Sequence, residues 1–199
     1  MKPRILAVDD ETEVLDTLSA LLSKKGYAVA TAENGHAALS HLDRGDFNVV
    51  LSDLKMSGMD GLQLLTAVKE ISPDTEVILF TGHGTVESAV TAMKSGAYNY
   101  IIKPIDADEV ILLIERILYV QNLKKQNRLL QSQLDSRYDF SNIIGKNHCL
   151  QQILELVRDV ASSNATVLIQ GESGTGKELS AHAIHFHSSR RDKPLVKVN

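Results

Sequence analysis

The stretch ILAVDD, residues 5–10, decides the fold, because four apolar residues lead directly into two aspartates. Such an unbroken apolar run is typical of a strand that is covered on both faces, as in a parallel sheet. Similar runs recur at regular intervals, at 5–8, 27–31, 49–51, 77–80 and 98–102. We expect these five segments to form one sheet.

Helical patterns separate the runs. A first apolar stripe covers 14–22 and is stopped by Gly26. A second helix starts near Gly61 and ends before Pro73, and a third covers 86–94. The regular alternation predicts five βα units, with a parallel sheet covered by helices on both faces.

A long helix follows the last run. Residues 106–134 contain no Gly and no Pro, which predicts a helix of about 43 Å. Its second half is polar except at positions spaced three and four apart, which are Val120, Leu123, Asn127, Leu130 and Leu134. This spacing predicts a coiled-coil seam in which Asn127, at an a-type position, fixes the register. A solvated single helix is the alternative, since only about two heptads are present.

Polar residues end the strands and predict a site at one edge of the sheet. Asp9 and Asp10 follow the first run, Asp53 the third, Thr81 the fourth and Lys103 the fifth. Open parallel sheets bind ligands outside the carboxyl ends of their strands. Three neighbouring carboxylates repel one another unless a cation joins them, and an all-oxygen set suits Mg²⁺. One Asp can then act as the nucleophile of a phosphoryl transfer, while Mg²⁺, Lys103 and the Thr81 hydroxyl neutralise charge.

Each of these residues also has a purely structural interpretation. Asp10, with Glu13 three residues later, would cap the first helix. Asp53 would be a turn residue and Lys103 a solvated charge. These interpretations do not explain why the polar residues share the strand ends, so we favour the site.

The same residues carry a resemblance to a known family. The segments VDDE (8–11), LSDLKMSGMDG (51–61), TGHG (81–84) and YIIKP (100–104) resemble the receiver domain of two-component response regulators. The resemblance covers about the first 120 residues. It implies an α/β fold, namely a flavodoxin-like, doubly wound five-stranded parallel sheet of order 2-1-3-4-5.

The resemblance also implies a role for each polar residue. Asp53 would accept a phosphoryl group from a sensor histidine kinase. Asp9 and Asp10 would hold Mg²⁺ together with Asp53 and the carbonyl of Lys55. Ser57 stands where the family usually has Pro, which would loosen the loop after Asp53 without removing a chemical group.

Three further residues complete the implied switch. Thr81 and Lys103 would contact the phosphoryl group, and Tyr100 would be the aromatic residue that turns with the Thr81 hydroxyl. The peptide bond between Lys103 and Pro104 would be cis, a minority form in general.

A Gly-rich loop predicts a nucleotide site later in the chain. The sequence GESGTGKE consists of Gly171, Glu172, Ser173, Gly174, Thr175, Gly176, Lys177 and Glu178. We expect a helix over 150–160 and a strand over 166–170 before the loop, and a helix after it. Backbone amides would then cradle phosphates, and Lys177 would reach the β and γ oxygens. The general pattern has Ser or Thr where Glu178 stands, which favours a turn without ligand.

The surrounding residues answer that objection. IIGKN (143–147) and residues 165–194 resemble the start of the AAA+ domain of NtrC-type sigma-54-dependent activators, in which GESGTGKE is the normal form. The resemblance implies a receiver over 1–120, a linker helix over 121–138 and the first part of the AAA+ domain over 139–199. It implies ATP as a ligand of the parent AAA+ domain.

The 199 residues lack several parts of such an activator. They contain no second acidic motif, no arginine finger and no DNA-binding helix-turn-helix. We therefore expect a fragment of a longer regulator that does not hydrolyse ATP by itself. Sigma-54 RNA polymerase and DNA would be partners only through the missing C-terminal part.

Composition excludes several classes of protein. A net charge of -4, no Trp and 5% aromatic residues argue against a broad nucleic-acid surface. The single Cys149 excludes an intrachain disulfide and fits a reducing compartment. No apolar stretch approaches the roughly 18 residues of a membrane span. We expect a cytoplasmic protein without a membrane partner.

The leading hypothesis is a response regulator. Phosphorylation of Asp53 would rearrange the side of the domain that carries Thr81 and Tyr100, and it would change how two subunits pair through receiver and linker helix. The resemblance implies that the unphosphorylated receiver dimer holds the ATPase domains apart. Two alternatives stay open: a P-loop ATPase or kinase with an accessory receiver, and a dimerisation module with an idle acidic pocket.

Overall fold

The computed structural model describes residues 2–82, 84–138, 155–157, 159–163, 165–172, 174–191 and 193–196. Within α-helices, the side chains of 133–138 and of Leu179 are also outside the description. The chain divides into two compact units, Met1–Leu123 and Lys124–Asn199, and each is described by itself.

The first unit is built on a five-stranded parallel sheet. Its strands are β1 (Arg4–Val8), β2 (Ala28–Ala32), β3 (Val49–Asp53), β4 (Glu76–Thr81) and β5 (Asn99–Ile102). The helices that follow them are α1 (Thr12–Lys24), α2 (Gly35–Leu42), α3 (Gly61–Ile71), α4 (Val86–Lys94) and α5 (Ala107–Tyr138). The strand order is β2-β1-β3-β4-β5 and every pairing is parallel. The predicted sheet is confirmed in its order and direction.

Two apolar clusters cover the two faces of the sheet. Leu6 and Val50 belong to the cluster beneath α2, α3 and α4. Ile5 and Leu51, their neighbours in the chain, belong to the cluster beneath α1 and α5. Because successive side chains of a strand point to opposite faces, both cores are filled only if consecutive residues are apolar. This requirement explains the unbroken apolar runs in the sequence.

The N-terminal ends of two helices, α2 and α1, differ from what the sequence led us to expect. Helix α2 had not been singled out, although Asn34 caps it by accepting a hydrogen bond from the Ala37 amide at 2.9 Å. The structural interpretation of Asp10 as a cap was wrong. The N-cap of α1 is Glu11, and no side-chain hydrogen bond caps that helix.

Helix α5 contains 32 residues and continues well beyond the sheet's apolar cluster. Its first half is anchored through Val110 and Ile114, which are buried. Along the predicted seam, Val120, Leu123 and Leu130 are 38%, 46% and 61% exposed. The long helix is confirmed, and its pairing as a coiled coil stays a prediction.

Among the described parts of the chain, no helix is long and apolar enough to cross a membrane.

A polar clasp fastens α5 to the N-terminal edge of the sheet. The Gln121 side-chain amide donates to the backbone carbonyls of Asn48 at 3.0 Å and Asp74 at 2.9 Å. Its carbonyl oxygen accepts from the Asn48 side chain at 3.0 Å. The Asn48 side chain in turn accepts from the Arg4 amide at 2.9 Å. Gln121 therefore ties the helix to the segments just before β3 and β4, and through Asn48 to the start of β1.

Replacing Gln121 by alanine is expected to lower the free energy of unfolding by about 1 kcal/mol, since three partly exposed hydrogen bonds are lost to water. Urea unfolding followed by circular dichroism measures the change. Asn122→Ala, which alters an exposed neighbour, is the matched control. Equal stability of the two variants would contradict a stabilising role for the clasp.

The second unit contains α6 (Lys177–His187) and further helical residues at 155–157 and 159–161. Val157 packs with Ala183 in a small apolar cluster. The predicted helix over 150–160 is thus seen in part, and residues 150–154 lie outside the described residues. The predicted strand over 166–170 was wrong, because the structure assigns these residues no strand. A strand needs a neighbour for its backbone hydrogen bonds, and no described residue pairs with this segment.

Candidate functional site

The residues that end the strands meet at one edge of the sheet. Asp9 directly follows β1, Asp53 ends β3 and Thr81 ends β4, and all three are buried. The Lys103 amide donates to the Thr81 carbonyl at 2.7 Å, which continues the pairing of β4 with β5. The Lys103–Pro104 peptide bond is cis, as the family resemblance implied.

Lys103 bridges two carboxylates at this edge. Its Nζ lies 3.0 Å from Oδ2 of Asp9 and 2.8 Å from Oδ1 of Asp53. Burial acts to lower the pKa of Lys103, but hydrogen bonds to Asp53 and Asp9, and the charges of both, outweigh it and raise that pKa. The ammonium group therefore stays charged at neutral pH. It compensates two carboxylates that would be costly to bury unpaired.

Backbone amides hold the second oxygen of each carboxylate. The Glu11 amide donates to Oδ1 of Asp9 at 2.9 Å, and the Lys55 amide donates to Oδ2 of Asp53 at 2.7 Å. Each side chain is thus fixed from two sides, by an ammonium group and by the amide two residues later. Asp53 is presented in one orientation, which is what a positioned nucleophile requires.

The residues fit a magnesium ion by their chemistry. Asp9 and Asp53 already share one cationic partner, and the adjacent Asp10 is exposed to water and takes part in neither ion pair. Such an all-oxygen set with access to water matches Mg²⁺, which keeps several water ligands. Across the described parts of the chain, no three acidic, His or Cys side chains are already gathered into a metal site. Lys103, rather than a third carboxylate, lies between Asp9 and Asp53.

The loop after Asp53 is held by contacts that the sequence did not predict. A Cβ at Gly61 would collide with the Asp53 carbonyl oxygen and lie 2.9 Å from Cα of Leu54. The Gly61 amide donates to the Leu54 carbonyl at 2.9 Å, and the Ser52 hydroxyl donates to the Asp53 carbonyl at 2.9 Å. Helix α3 can therefore approach the end of β3 this closely only with Gly at this position. Ser57 lies in the same loop and is exposed.

Tyr100 lies on the side of the sheet that α4 covers. It pairs with Leu79 in the β4–β5 register, two residues before Thr81, so Tyr100 and Thr81 share a face. The half-buried ring packs against the cluster beneath α2, α3 and α4. Its hydroxyl lies 2.8 Å from Oγ of Ser88. Ser88 was not among the residues chosen from the sequence, and no local pattern marks it.

The Gly-rich loop of the second unit turns directly into α6. Gly174 and Gly176 have φ angles of +83° and +86°, a left-handed conformation that favours Gly. Lys177 begins α6, and its Nζ donates to the carbonyl oxygens of Gly171, at 2.8 Å, and Glu172. The Lys177 amine is therefore bonded to backbone carbonyls of the loop that precedes it. Ser173 is outside the described residues, and Glu178 is exposed.

A cavity of about 410 Å³ adjoins this loop. Gly171, Thr175 and Lys177 line one part of it, and apolar side chains such as Val157 and Ile184 line another. A polar part beside an apolar part is the usual composition of a small-molecule site.

Two families of known proteins match the sequence. Residues 5–115 match the response regulator receiver domain, and residues 143–199 match the sigma-54 interaction domain. The chain is 41% identical to the regulatory protein AtoC of Escherichia coli K12 over 98% of this chain and 42% of AtoC. It is 37% identical to the DNA-binding transcriptional regulator NtrC of the same strain, over 98% of this chain and 41% of NtrC. The chain therefore spans less than half the length of these relatives.

Solved structures resemble the chain in both parts. NtrX from Brucella abortus in complex with ATP is 36% identical, with a TM-score of 0.60 over all of this chain and 43% of that one. The beryllofluoride-activated NtrC4 receiver domain dimer is 37% identical, with a TM-score of 0.57 over 59% of this chain and 98% of that one.

Proposed function

Because the chain belongs to the family of response regulators that join a receiver domain to a sigma-54 interaction domain, we propose that Asp53 accepts a phosphoryl group from a sensor histidine kinase. The observation that carries the proposal is the arrangement of Asp53, fixed by the Lys55 amide and paired with Lys103 beside Asp9. The phosphoryl group then acts as the signal that switches the domain.

The transfer forms one bond and breaks another. An oxygen of the Asp53 carboxylate attacks phosphorus, and the bond from phosphorus to the kinase histidine nitrogen breaks. Lys103 lies 2.8 Å from the Asp53 carboxylate, which places its ammonium group beside the charge that the new group brings. The buried Thr81 at the end of β4 would offer its hydroxyl to the same group.

Magnesium would complete the charge balance. Asp9, Asp10 and Asp53 would hold it with the Lys55 carbonyl, and when bound it would screen repulsion between the carboxylate and the incoming phosphoryl oxygens. Asp9 stays oriented throughout by the Glu11 amide.

Phosphorylation would reach the rest of the chain through Thr81, Tyr100 and α5. Movement of the Thr81 hydroxyl toward the phosphoryl group would let the Tyr100 ring turn on the shared face of the sheet. The exposed seam of α5 supports pairing of two chains, as does the Asn127 position within it. We propose a homodimer through the receiver and the linker helix, in which the unphosphorylated receivers hold the ATPase domains apart.

The domain limits and the second ligand belong to the same proposal. A receiver over 1–120 and a linker over 121–138 would precede the AAA+ part over 139–199, whose loop at 171–178 would bind the phosphates of ATP. The 199 residues contain no second acidic motif, so we do not expect them to hydrolyse ATP. The longer protein would act in the cytoplasm on sigma-54 RNA polymerase and DNA through residues beyond these, without a membrane partner.

The experiment is incubation with acetyl phosphate, with Mg²⁺ or with a chelator, followed by intact-mass spectrometry. One phosphoryl adduct is expected with Mg²⁺ and none with the chelator. Asp10→Asn should need more Mg²⁺ to reach the wild-type rate, because it weakens the metal site alone. No adduct under any condition would support the idle dimerisation module. Steady release of ADP by this chain would support the ATPase alternative.

A further inference from the structure

One oxygen atom joins the start of α4 to Tyr100. The residue is Ser88, in the first turn of the helix, and its Oγ lies 2.8 Å from the Tyr100 hydroxyl. The same Oγ accepts from the Thr85 amide at 3.1 Å and donates to the Thr85 carbonyl at 2.8 Å. Thr85 is the N-cap of α4, and its hydroxyl accepts from the Ser88 amide. The helix cap and the aromatic residue on β5 therefore share one hydroxyl group.

The Ser88 hydroxyl has several neighbours that can bond to it. Three of them belong to Thr85, whose amide, carbonyl and hydroxyl lie 3.1, 2.8 and 3.2 Å from the Ser88 Oγ. The Tyr100 hydroxyl is the partner that belongs to another element, β5. Removing the Tyr100 hydroxyl would leave the Ser88 hydroxyl with these local partners of its own helix cap, and the hydrogen bond from Ser88 to β5 would be lost.

Helix α4 has little else to hold it. Ala92 is its one buried residue, whereas Val86, Val90 and Met93 are exposed. Elements with few buried apolar side chains open and shift at the lowest cost in free energy. A single hydrogen bond therefore counts for more in the position of α4 than it would in a well-buried helix.

The connection from β4 to α4 passes the strand ends closely. A Cβ at Gly84 would lie 3.1 Å from the Ile102 side chain and 3.3 Å from Cγ2 of Thr81. Gly84, one residue before the N-cap Thr85, therefore lies beside the Thr81 side chain. The cap of α4 is placed to respond to the strand end that carries the Thr81 hydroxyl.

From this geometry we propose that Ser88 is a positioning residue, whose hydrogen bond with Tyr100 holds α4 in the arrangement seen here and opposes the phosphorylated state. The inference rests on the proposed function of Asp53, because the state that it opposes is the one with a phosphoryl group there. A ligand that needs a minor conformation binds more weakly in proportion to the rarity of that conformation. Weakening the Ser88–Tyr100 bond should therefore strengthen binding of a phosphoryl mimic.

The test is titration of the protein with beryllofluoride in the presence of Mg²⁺. Tyr100→Phe and Ser88→Ala are each expected to tighten binding about threefold, the effect of one net hydrogen bond. The double variant should bind no more tightly than either single variant, because both remove the same bond. Unchanged or weaker binding in Tyr100→Phe, or effects that multiply in the double variant, would overturn the proposal.

Two controls separate the bond from other effects. Thr85→Ala damages the helix cap but keeps both hydroxyls of the bond, and it should bind beryllofluoride less tightly than Ser88→Ala. Tyr98→Phe removes a hydroxyl from a tyrosine that packs against the other core cluster, and it should match the wild type. If Thr85→Ala reproduces the effect of Ser88→Ala, Ser88 acts only as a cap and the proposal fails.

Amide hydrogen exchange tests the role of the Ser88–Tyr100 hydrogen bond independently of any ligand at Asp53. Amides of residues 86–94 should exchange about threefold faster in Tyr100→Phe than in the wild type without beryllofluoride. If the wild type fails to bind beryllofluoride, the proposed function fails, and exchange alone decides whether the bond holds α4. Equal exchange in the two proteins would overturn the role of the bond whatever happens at Asp53.

Discussion

Asp53→Asn is expected to remove the phosphoryl adduct completely. The amide is close to the carboxylate in shape but is not a nucleophile, so the bond to phosphorus cannot form. The substitution keeps an oxygen that can accept from the Lys55 amide, and Lys103 keeps its ion pair with Asp9. Loss of the adduct should therefore occur in a folded protein. Intact-mass spectrometry after incubation with acetyl phosphate and Mg²⁺ measures it.

The matched control for this variant is Asp60→Asn. Asp60 caps α3 by accepting from the Gln63 amide at 2.8 Å, and asparagine is an equally good N-cap. This variant should form the adduct as the wild type does. A full adduct on Asp53→Asn would show that another residue is the acceptor.

Gly61→Ala is expected to destabilise the first unit by about 1–3 kcal/mol, the usual cost of forcing an extra carbon into a packed site. The new Cβ would collide with the Asp53 carbonyl oxygen and crowd Cα of Leu54. Both are backbone atoms, which cannot move aside as the end of a flexible side chain can. Relief requires α3 or the strand end to shift.

Gly82→Ala is the matched control for the same measurement, urea unfolding followed by circular dichroism. Gly82 lies near the same edge of the sheet, and a Cβ there would meet no atom within 4 Å. Its free energy of unfolding should stay within about 0.5 kcal/mol of the wild type. If both variants lose the same stability, the close approach of α3 to Asp53 is not what limits position 61.

The sheet could be predicted because its strands are covered on both faces. Ile5 and Leu6 serve opposite cores, and so do Val50 and Leu51, which leaves an apolar run that is visible without any structure. The ends of those runs are equally visible. They are the places where polar residues first appear, which is why Asp53 and its neighbours could be chosen from the sequence.

Contacts between distant segments could not be predicted in the same way. The side chains of Gln121 and Asn48 are hydrogen-bonded although they are 73 positions apart in the sequence. The hydroxyls of Ser88 and Tyr100 are hydrogen-bonded because α4 packs on β5, and no local sequence pattern indicates it. The sequence also placed Asp9, Asp53 and Lys103 at strand ends without showing that the Lys103 amine pairs with both carboxylates. A lysine at a strand end gives no sign of its ion partners until the strands are in register.

The second unit illustrates the limit of reading single segments. Residues 166–170 have the composition of a strand, but Leu168 is 80% exposed and the segment has no strand partner among the described residues. Local propensity for a strand is weak, and pairing with neighbours decides the outcome. The loop at 171–178 depends less on neighbours, because its turns use the left-handed conformations of its own Gly174 and Gly176.

In the proposed switch, the state of Asp53 controls how two chains associate. The most direct test of this control is the molar mass in solution, measured by light scattering with Mg²⁺ before and after addition of beryllofluoride, for the wild type and Asp53→Asn. Beryllofluoride is expected to change the association of the wild type and to leave the variant unchanged. An unchanged molar mass in a wild type that binds beryllofluoride, or an equal change in the variant, would contradict this control.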